Sequence, residues 1–173
     1  MKNLSEVIFM SVKRFFAKHG LITNGMRVNL IGEKFYTLMV GVADLLKENF
    51  GEKGEQLLID LLKKFGEEDG KRLKEELNLG SDLNAAADAW IIMGNIFKVK
   101  MFTRKTSDNE IVFYHPNCPM WNFFKSKGKI YCETLCLPYV ESVVKSIAPT
   151  VEMEIVDPPT IERTCVKKLV VKS

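Results

Sequence analysis

Four cysteines in the last third of the chain, at positions 118, 132, 136 and 165, are the residues whose type and spacing best fit a chemical role. Zinc takes four nitrogen or sulfur ligands in a tetrahedron, often from pairs separated by two to four residues. Cys132 and Cys136 are four residues apart, so one helical turn would place both thiols on one face. Cys118 lies upstream, with two residues between it and His115, and Cys165 lies on a predicted last strand. The pattern predicts a zinc site of Cys118, Cys132, Cys136 and Cys165, with His115 as a possible replacement for one thiol.

Two other readings of the cysteines stay open. Reduced cysteine is among the most often buried residues and packs as a small hydrophobe, so the four can be core thiols. A reactive cysteine needs a nearby base and a lowered pKa. Of the two histidines, His19 and His115, only His115 is close to a cysteine in sequence, which makes Cys118 with His115 the candidate catalytic pair.

Familiar catalytic motifs are missing from the sequence. It has no P-loop, no G-x-G-x-x-G, no H-E-x-x-H and no G-x-S-x-G, so phosphate-loop, zinc-protease and serine-hydrolase functions have no motif support. The acidic run Glu67-Glu68-Asp69 points in three directions on a helix and is typical of a solvated face. Lys167, Lys168 and Lys172 favour a protected edge strand rather than a nucleic-acid groove.

Composition is that of an ordinary globular domain. The chain has 173 residues with 46% hydrophobic and 27% charged residues and a formal net charge of +3, too small and scattered for a nucleic-acid binder. No apolar run approaches the roughly 20 residues of a membrane span, and no secretory signal is recognisable. We therefore expect a cytoplasmic protein with reduced thiols, no nucleic-acid partner and no membrane partner.

The first half of the chain has the three-to-four residue periodicity of helices. One helix is predicted around Val7–Phe16 with a stop at Gly20, followed by a turn at Asn24-Gly25. Further helices are predicted for 33–49 and from Leu57 onward, with Gly66 and Gly70 as points of bending and residues 78–80 as the end. Ser81 then fits the N-cap of a small-residue helix.

The second half changes to the alternation of strands. Residues 96–101 and 111–114 form a predicted hairpin with its turn at 107–109, and a loop follows at 115–119. Two helices are predicted after it, one over 119–127 and one from about Leu137 to Ile147, and then strands at 151–155 and 161–171. The aromatic residues between them fit a core or the walls of a pocket: Phe97, Phe102, Phe113, Tyr114, Trp121, Phe123 and Phe124.

These elements predict one α+β domain over residues 1–173. Residues 1–94 would form a helical part, and residues 95–173 would form a second part with a mainly antiparallel sheet. The N-terminal helices would pack on this C-terminal sheet. That second part also carries the cysteine-bearing loop and helix.

A series of landmarks resembles a known family. They are Phe50-Gly51-Glu52, Gly66, Gly70 with Lys71-Arg72, Asn117-Cys118-Pro119, Cys132, Cys136 and Cys165. In this order they resemble the L-2-amino-thiazoline-4-carboxylic acid hydrolase-like proteins, which are akin to the vinyl-4-reductase small-molecule-binding domains.

The resemblance implies a compact α+β domain, often dimeric, with an internal pocket for a small organic molecule and cysteines that bind zinc. Two functions follow as expectations. One is a small-molecule-binding domain in which zinc is structural or lies beside the pocket. The other is a hydrolase of a small cyclic amidine or amide, in which a zinc-bound water or Cys118 assisted by His115 is the nucleophile.

Overall fold

The computed structural model describes residue 18 and residues 23–172. The helix predicted around Val7–Phe16, its stop at Gly20 and His19 lie outside the described residues. The elements follow in the order α1 (Asn24–Glu76), α2 (Leu83–Ile96), β1 (Lys100–Ser107), β2 (Glu110–Asn117), α3 (Pro119–Ser126), a π-helical turn (Cys132–Cys136), α4 (Leu137–Ile147), β3 (Val151–Asp157) and β4 (Val166–Val171).

The chain divides into two units, one ending at Thr37 and the other formed by Leu38–Ser173. The first unit is described from the start of α1. There the Thr23 side-chain oxygen accepts a hydrogen bond of 3.2 Å from the Met26 N–H, which caps the helix. The predicted turn at Asn24-Gly25 is therefore wrong, because the cap begins the helix at Asn24 itself.

In the second unit, helix α1 breaks at Gly51 and not at the two glycines that the sequence suggested. Gly51 has a left-handed backbone (φ 60°, ψ −141°), which glycine adopts without the usual steric cost. Gly66 and Gly70 stay helical, so the prediction of a bend there is wrong. A side chain at either position would collide with α4, and glycine is what lets the two helices approach closely.

The four strands form one antiparallel sheet in the order β1-β2-β4-β3. Helices packed with this sheet confirm the predicted α+β class. The predicted hairpin turn at 107–109 is confirmed, since Ser107 pairs with Glu110 between β1 and β2. The predicted bounds of the first strand, 96–101, are wrong, because Ile96 ends α2 and β1 begins only at Lys100. Strand β4 lies between β2 and β3, so the prediction that its lysines protect an edge strand is wrong.

Three predicted boundaries need correction. Strand β2 continues through Asn117, so the predicted 115–119 loop does not begin at His115. Strand β4 begins only at Val166, because the Thr160 side-chain oxygen accepts hydrogen bonds from two following N–H groups and holds the chain in a turn. The N-cap of α2 is Asp82 rather than Ser81, since its carboxylate accepts the Ala85 N–H at 2.9 Å.

Two hydrophobic clusters hold the second unit together. The larger one joins α2, α4 and the inner face of the sheet, with Phe113 and Leu169 fully buried. Trp90 meets Phe113 edge to face at 4.8 Å between ring centroids. The smaller cluster joins α1, α3 and the π-helical turn around the buried Phe124 ring and includes Cys132. The π-helical turn that carries Cys132 is thus held in place by apolar packing with α1 and α3.

Candidate thiol site

The four cysteines lie at the ends of separate elements. Cys118 is the residue that caps the start of α3, and Cys165 immediately precedes β4 rather than lying within a strand. Cys132 and Cys136 begin and end the π-helical turn, which widens because the Leu137 N–H bonds to the carbonyl of Cys132, five residues back. All four are free thiols. Their positions follow from element boundaries and not from a contiguous motif.

Electrostatic interaction links the four thiols into one group. Burial raises the pKa of Cys132, and Cys136, Cys165 and Cys118 each raise it further. Burial also raises the pKa of Cys136 to about 11; Cys118 and Cys165 add to this shift while a nearby lysine opposes it. The pKa of Cys132 is therefore raised by cysteines from other segments of the chain as well as from its own turn. The zinc ligand set of Cys118, Cys132, Cys136 and Cys165 stays a prediction.

Cys118 differs from the others in its backbone surroundings. Burial raises the pKa of its thiol, and the backbone N–H groups of Trp121 and Met120 at the start of α3 oppose part of that rise. A helix N-terminus favours negative charge because its N–H groups lack intrahelical partners. The net direction is still upward, so Cys118 is a neutral thiol at pH 7.

His115 lies on the inner face of β2 and is 6% exposed. Its Nδ1 lies 3.2 Å from the carbonyl oxygen of Cys165, so Nδ1 carries the proton that it donates there and Nε2 keeps its lone pair. The pKa of His115 is lowered to about 3, chiefly by burial and also by the charge of Lys167. The hydrogen bond to the carbonyl of Cys165 acts in the opposite direction. His115 is a neutral imidazole held against Cys165, a form suited to metal ligation.

The proposed Cys118–His115 pair therefore combines two neutral groups. Base catalysis in such a pair needs the histidine to hold a proton once the thiol releases it. The depressed pKa of His115 and the raised pKa of Cys118 both oppose that transfer. The catalytic role of this pair stays a prediction.

The sequence patterns grouped Lys167 with Lys168 and Lys172 as charges of a protected edge strand, whereas the structure buries Lys167. It is 4% exposed, on the face of β4 that also carries the buried Leu169, and it lies opposite Phe113 in the strand pairing. Its ammonium lies 4.6 Å from the centroid of the Trp90 ring. The same charge lowers the pKa of Cys136 and of His115. The sequence contains an indication of this burial, because residues two apart on a strand share a face and Lys167 is two residues from the apolar Leu169.

Among residue 18 and residues 23–172, no three His, Cys, Asp or Glu side chains are arranged as a metal-binding group. The predicted zinc ion stays a prediction. In the same part of the chain, no helix combines the length and apolar character that a bilayer crossing requires.

Comparison with known proteins finds a similar fold among solved structures but no similar sequence family. No protein-family profile matches the chain, and no curated protein sequence does. Among solved structures, the chain is similar to the crystal structure of a trafficking protein particle complex subunit 3 from Naegleria fowleri covalently bound to palmitic acid. The two structures align with a TM-score of 0.56 at 15% sequence identity. The alignment covers 87% of this chain and 98% of the other. A likeness at this identity shows a shared fold.

Proposed function

We propose that this chain is a small-molecule-binding domain of vinyl-4-reductase-like type in which Cys118, Cys132, Cys136 and Cys165 bind zinc. The observation that carries the proposal is that four free thiols from three separate segments of the chain interact in setting the pKa values of Cys132 and Cys136. Four free thiols, each buried or partly buried, match the ligand number and type of structural zinc centres.

The protonation state of the thiols fits a site that closes when metal arrives. Burial and mutual repulsion keep Cys118, Cys132 and Cys136 neutral at pH 7, as their raised pKa values require. Zinc binds thiolates, so its binding releases these protons as the metal–sulfur bonds form. The reduced thiols that zinc needs are those of a cytoplasmic protein.

The ligand that we propose is a small organic molecule. The N. fowleri protein of similar fold is covalently bound to palmitic acid, so this architecture accommodates an organic ligand in at least one protein. Here Trp90 of α2 packs against Phe113 on the inner face of the sheet, and we propose that this apolar region receives the ligand. Co-purified molecules released by denaturation and identified by mass spectrometry would give the ligand class. Protein that releases none at any stage of purification contradicts this part of the proposal.

We also propose a homodimer formed through the outer face of α1. Apolar side chains on this face are 46–64% exposed, and we call them the outer stripe: Leu38, Leu45, Leu57, Leu61 and Phe65. Exposed apolar side chains in such numbers favour a protein–protein interface. The fold neighbour is itself described as a subunit of a complex.

Zinc content tests the metal part of the proposal. We expect about one zinc per chain in tag-free protein, since one tetrahedral centre uses all four thiols. Cys132→Ser should lose it. Leu135→Ala is the matched control, because Leu135 is buried in the same π-helical turn, so its truncation removes packing without removing sulfur. Sub-stoichiometric zinc in the wild type that Cys132→Ser does not change contradicts the proposal.

The hydrolase alternative makes a separate prediction. Turnover of a thiazoline or cyclic amide that Cys118→Ala abolishes would identify an enzyme. Binding of such compounds without turnover by either form would identify a binding domain.

A further inference from the structure

Lys167 is a buried charge to which the described structure gives no acidic partner. Its side chain is 4% exposed. Among residue 18 and residues 23–172, no hydrogen bond or ion pair includes its ammonium. Buried lysines are ordinarily paired, because an isolated ammonium loses its hydration on burial. Two acids of the same sheet pair instead with Lys168, whose ammonium lies 2.8 Å from Glu110 and 3.1 Å from Glu154.

The two lysines separate because a strand alternates its faces. Lys168 lies on the outer face of β4 with the acidic side chains, whereas Lys167 lies on the inner face. There Lys167 is opposite Phe113 of β2 on one side and Ile155 of β3 on the other. The cross-strand neighbours of the buried ammonium-bearing side chain are therefore apolar.

The ammonium of Lys167 is not sealed within the packing. In the part of the chain that the structure describes, every fully enclosed side-chain nitrogen or oxygen has a hydrogen-bond partner. The Lys167 ammonium has none there, so it borders solvent-accessible space. Ile155, its neighbour on the edge strand β3, is 38% exposed. The inner face of the sheet is thus accessible on the β3 side of Lys167.

Trp90 provides a fixed apolar wall beside this charge. Its Nε1–H donates to the carbonyl oxygen of Val140 at 3.1 Å, and its ring packs edge to face on Phe113. The Lys167 ammonium lies 4.6 Å from the centroid of the same ring. A cation–π contact offsets only part of the cost of burying a charge. One positive charge surrounded by apolar side chains suits a ligand with one negative charge and an apolar body.

We propose that Lys167 binds the carboxylate of an apolar organic acid, whose body packs against Trp90 and Ile155. This inference rests on the proposed small-molecule-binding function and names its ligand class, and it does not depend on zinc. A carboxylate supplies one negative charge to one ammonium and accepts a charge-assisted hydrogen bond from it. Bound acid therefore provides the partner that the described residues do not.

The test uses matched probes that differ in charge. Cinnamate is compared with cinnamamide as an aromatic pair, and octanoate with octanamide as an aliphatic pair, by isothermal titration calorimetry. We expect wild type to bind at least one acid roughly tenfold or more tightly than its amide, since hydrogen bonds between charged groups are the strong ones. Lys167→Met should bind the acid and the amide about equally, and Lys167→Arg should retain a preference for the acid.

Lys168→Met is the matched control. It removes the same charge from the other face of the same strand, so its preference for the acid should stay within about twofold of wild type. Ligand-free Lys167→Met should unfold at the same temperature as wild type or at a higher one, because it removes an unpaired buried charge. If this variant does not fold, Lys167→Gln provides the same neutral comparison.

Co-purified molecules give a second measurement. Mass spectrometry of small molecules released by denaturation should find an organic acid in wild type and little or none in Lys167→Met. Release of a neutral molecule alone would overturn the proposed ligand class.

The outcomes separate this inference from the proposed function. Amides that bind as tightly as acids, or a preference for acids that survives in Lys167→Met, overturn the role of Lys167 and leave small-molecule binding standing. Wild type that binds none of the four probes and releases no small molecule overturns the binding function, and the role of Lys167 with it.

Discussion

Gly66 of α1 lies directly against the backbone carbonyl of Tyr139 on α4, with no room for a side chain between them. A Cβ atom built at Gly66 would overlap that carbonyl and would lie 2.9 Å from the Cβ of Ser142. One turn later, Gly70 meets the backbone of Val143 in the same way. These contacts set the distance between α1 and the helix that follows the thiol-bearing turn.

We predict that Gly66→Ala destabilises the protein. Overpacking typically costs about 1–3 kcal/mol, and alanine recovers about 1 kcal/mol of helix propensity, so the net loss should be about 1 kcal/mol or more. Gly41→Ala is the control, because nothing lies within 4 Å of a Cβ there. It should be neutral or stabilising by up to about 1 kcal/mol. Urea unfolding measures both, and equal stability of the two variants would refute the packing argument.

His115 should make stability depend on pH. Its pKa is about 3 in the folded protein against 6.5 unfolded, chiefly because of burial. Between these values the unfolded chain binds a proton that the folded protein refuses, so stability falls as pH falls from 6.5 toward 3. The slope for one such group is about 1.4 kcal/mol per pH unit.

His115→Gln isolates that contribution. Carboxylates also lose stabilising contacts at low pH, but they do so in wild type and variant alike. We therefore expect the free energy of unfolding to fall less steeply in His115→Gln between pH 6.5 and 4.5. Parallel curves for the two proteins would show that His115 is not buried in its neutral form.

The thiols should react slowly in the folded, metal-free protein. Thiolate is the reactive form, and burial raises the pKa of Cys118, Cys132 and Cys136. At pH 7.5 we expect alkylation by iodoacetamide at these three positions to be at least tenfold slower than in urea-unfolded protein, which mass spectrometry of peptides can follow. Rapid modification of folded Cys118 would instead support a nucleophilic cysteine.

The outer stripe should govern association. Leu57 is 55% exposed on α1, and Leu57→Lys places a charge in the proposed interface. We expect the variant to be a monomer under conditions where wild type is a dimer, as measured by light scattering after gel filtration. Lys64→Ala, an exposed change on the same helix, should leave the mass unchanged. A monomeric wild type at all accessible concentrations contradicts the proposed dimer.

Local sequence patterns were enough to predict much of this fold. The Ser107-Asp108-Asn109 turn and the apolar run at 111–114 predicted the turn and second strand of the β1–β2 hairpin, and Pro138 correctly restricted the start of α4 to Leu137. These features depend on neighbours in sequence, so local propensity decides them.

Features decided by distant contacts were not predictable in the same way. Gly51, Gly66 and Gly70 look alike in sequence, but only the packing against α4 determines which two remain helical. Lys167 looks like its neighbour Lys168, and only the central place of β4 in the sheet determines that Lys167 is buried. The set of four cysteines was named from the sequence, and its role as one site stays a prediction.

Zinc K-edge X-ray absorption on tag-free protein tests the central claim most directly. The account predicts four sulfur ligands at about 2.3 Å, the usual zinc–thiolate distance. Three sulfurs and one nitrogen would place His115 in the site in place of one cysteine. Zinc with mainly oxygen or nitrogen ligands, or protein that holds no zinc after reconstitution under reducing conditions, would contradict a cysteine-based centre.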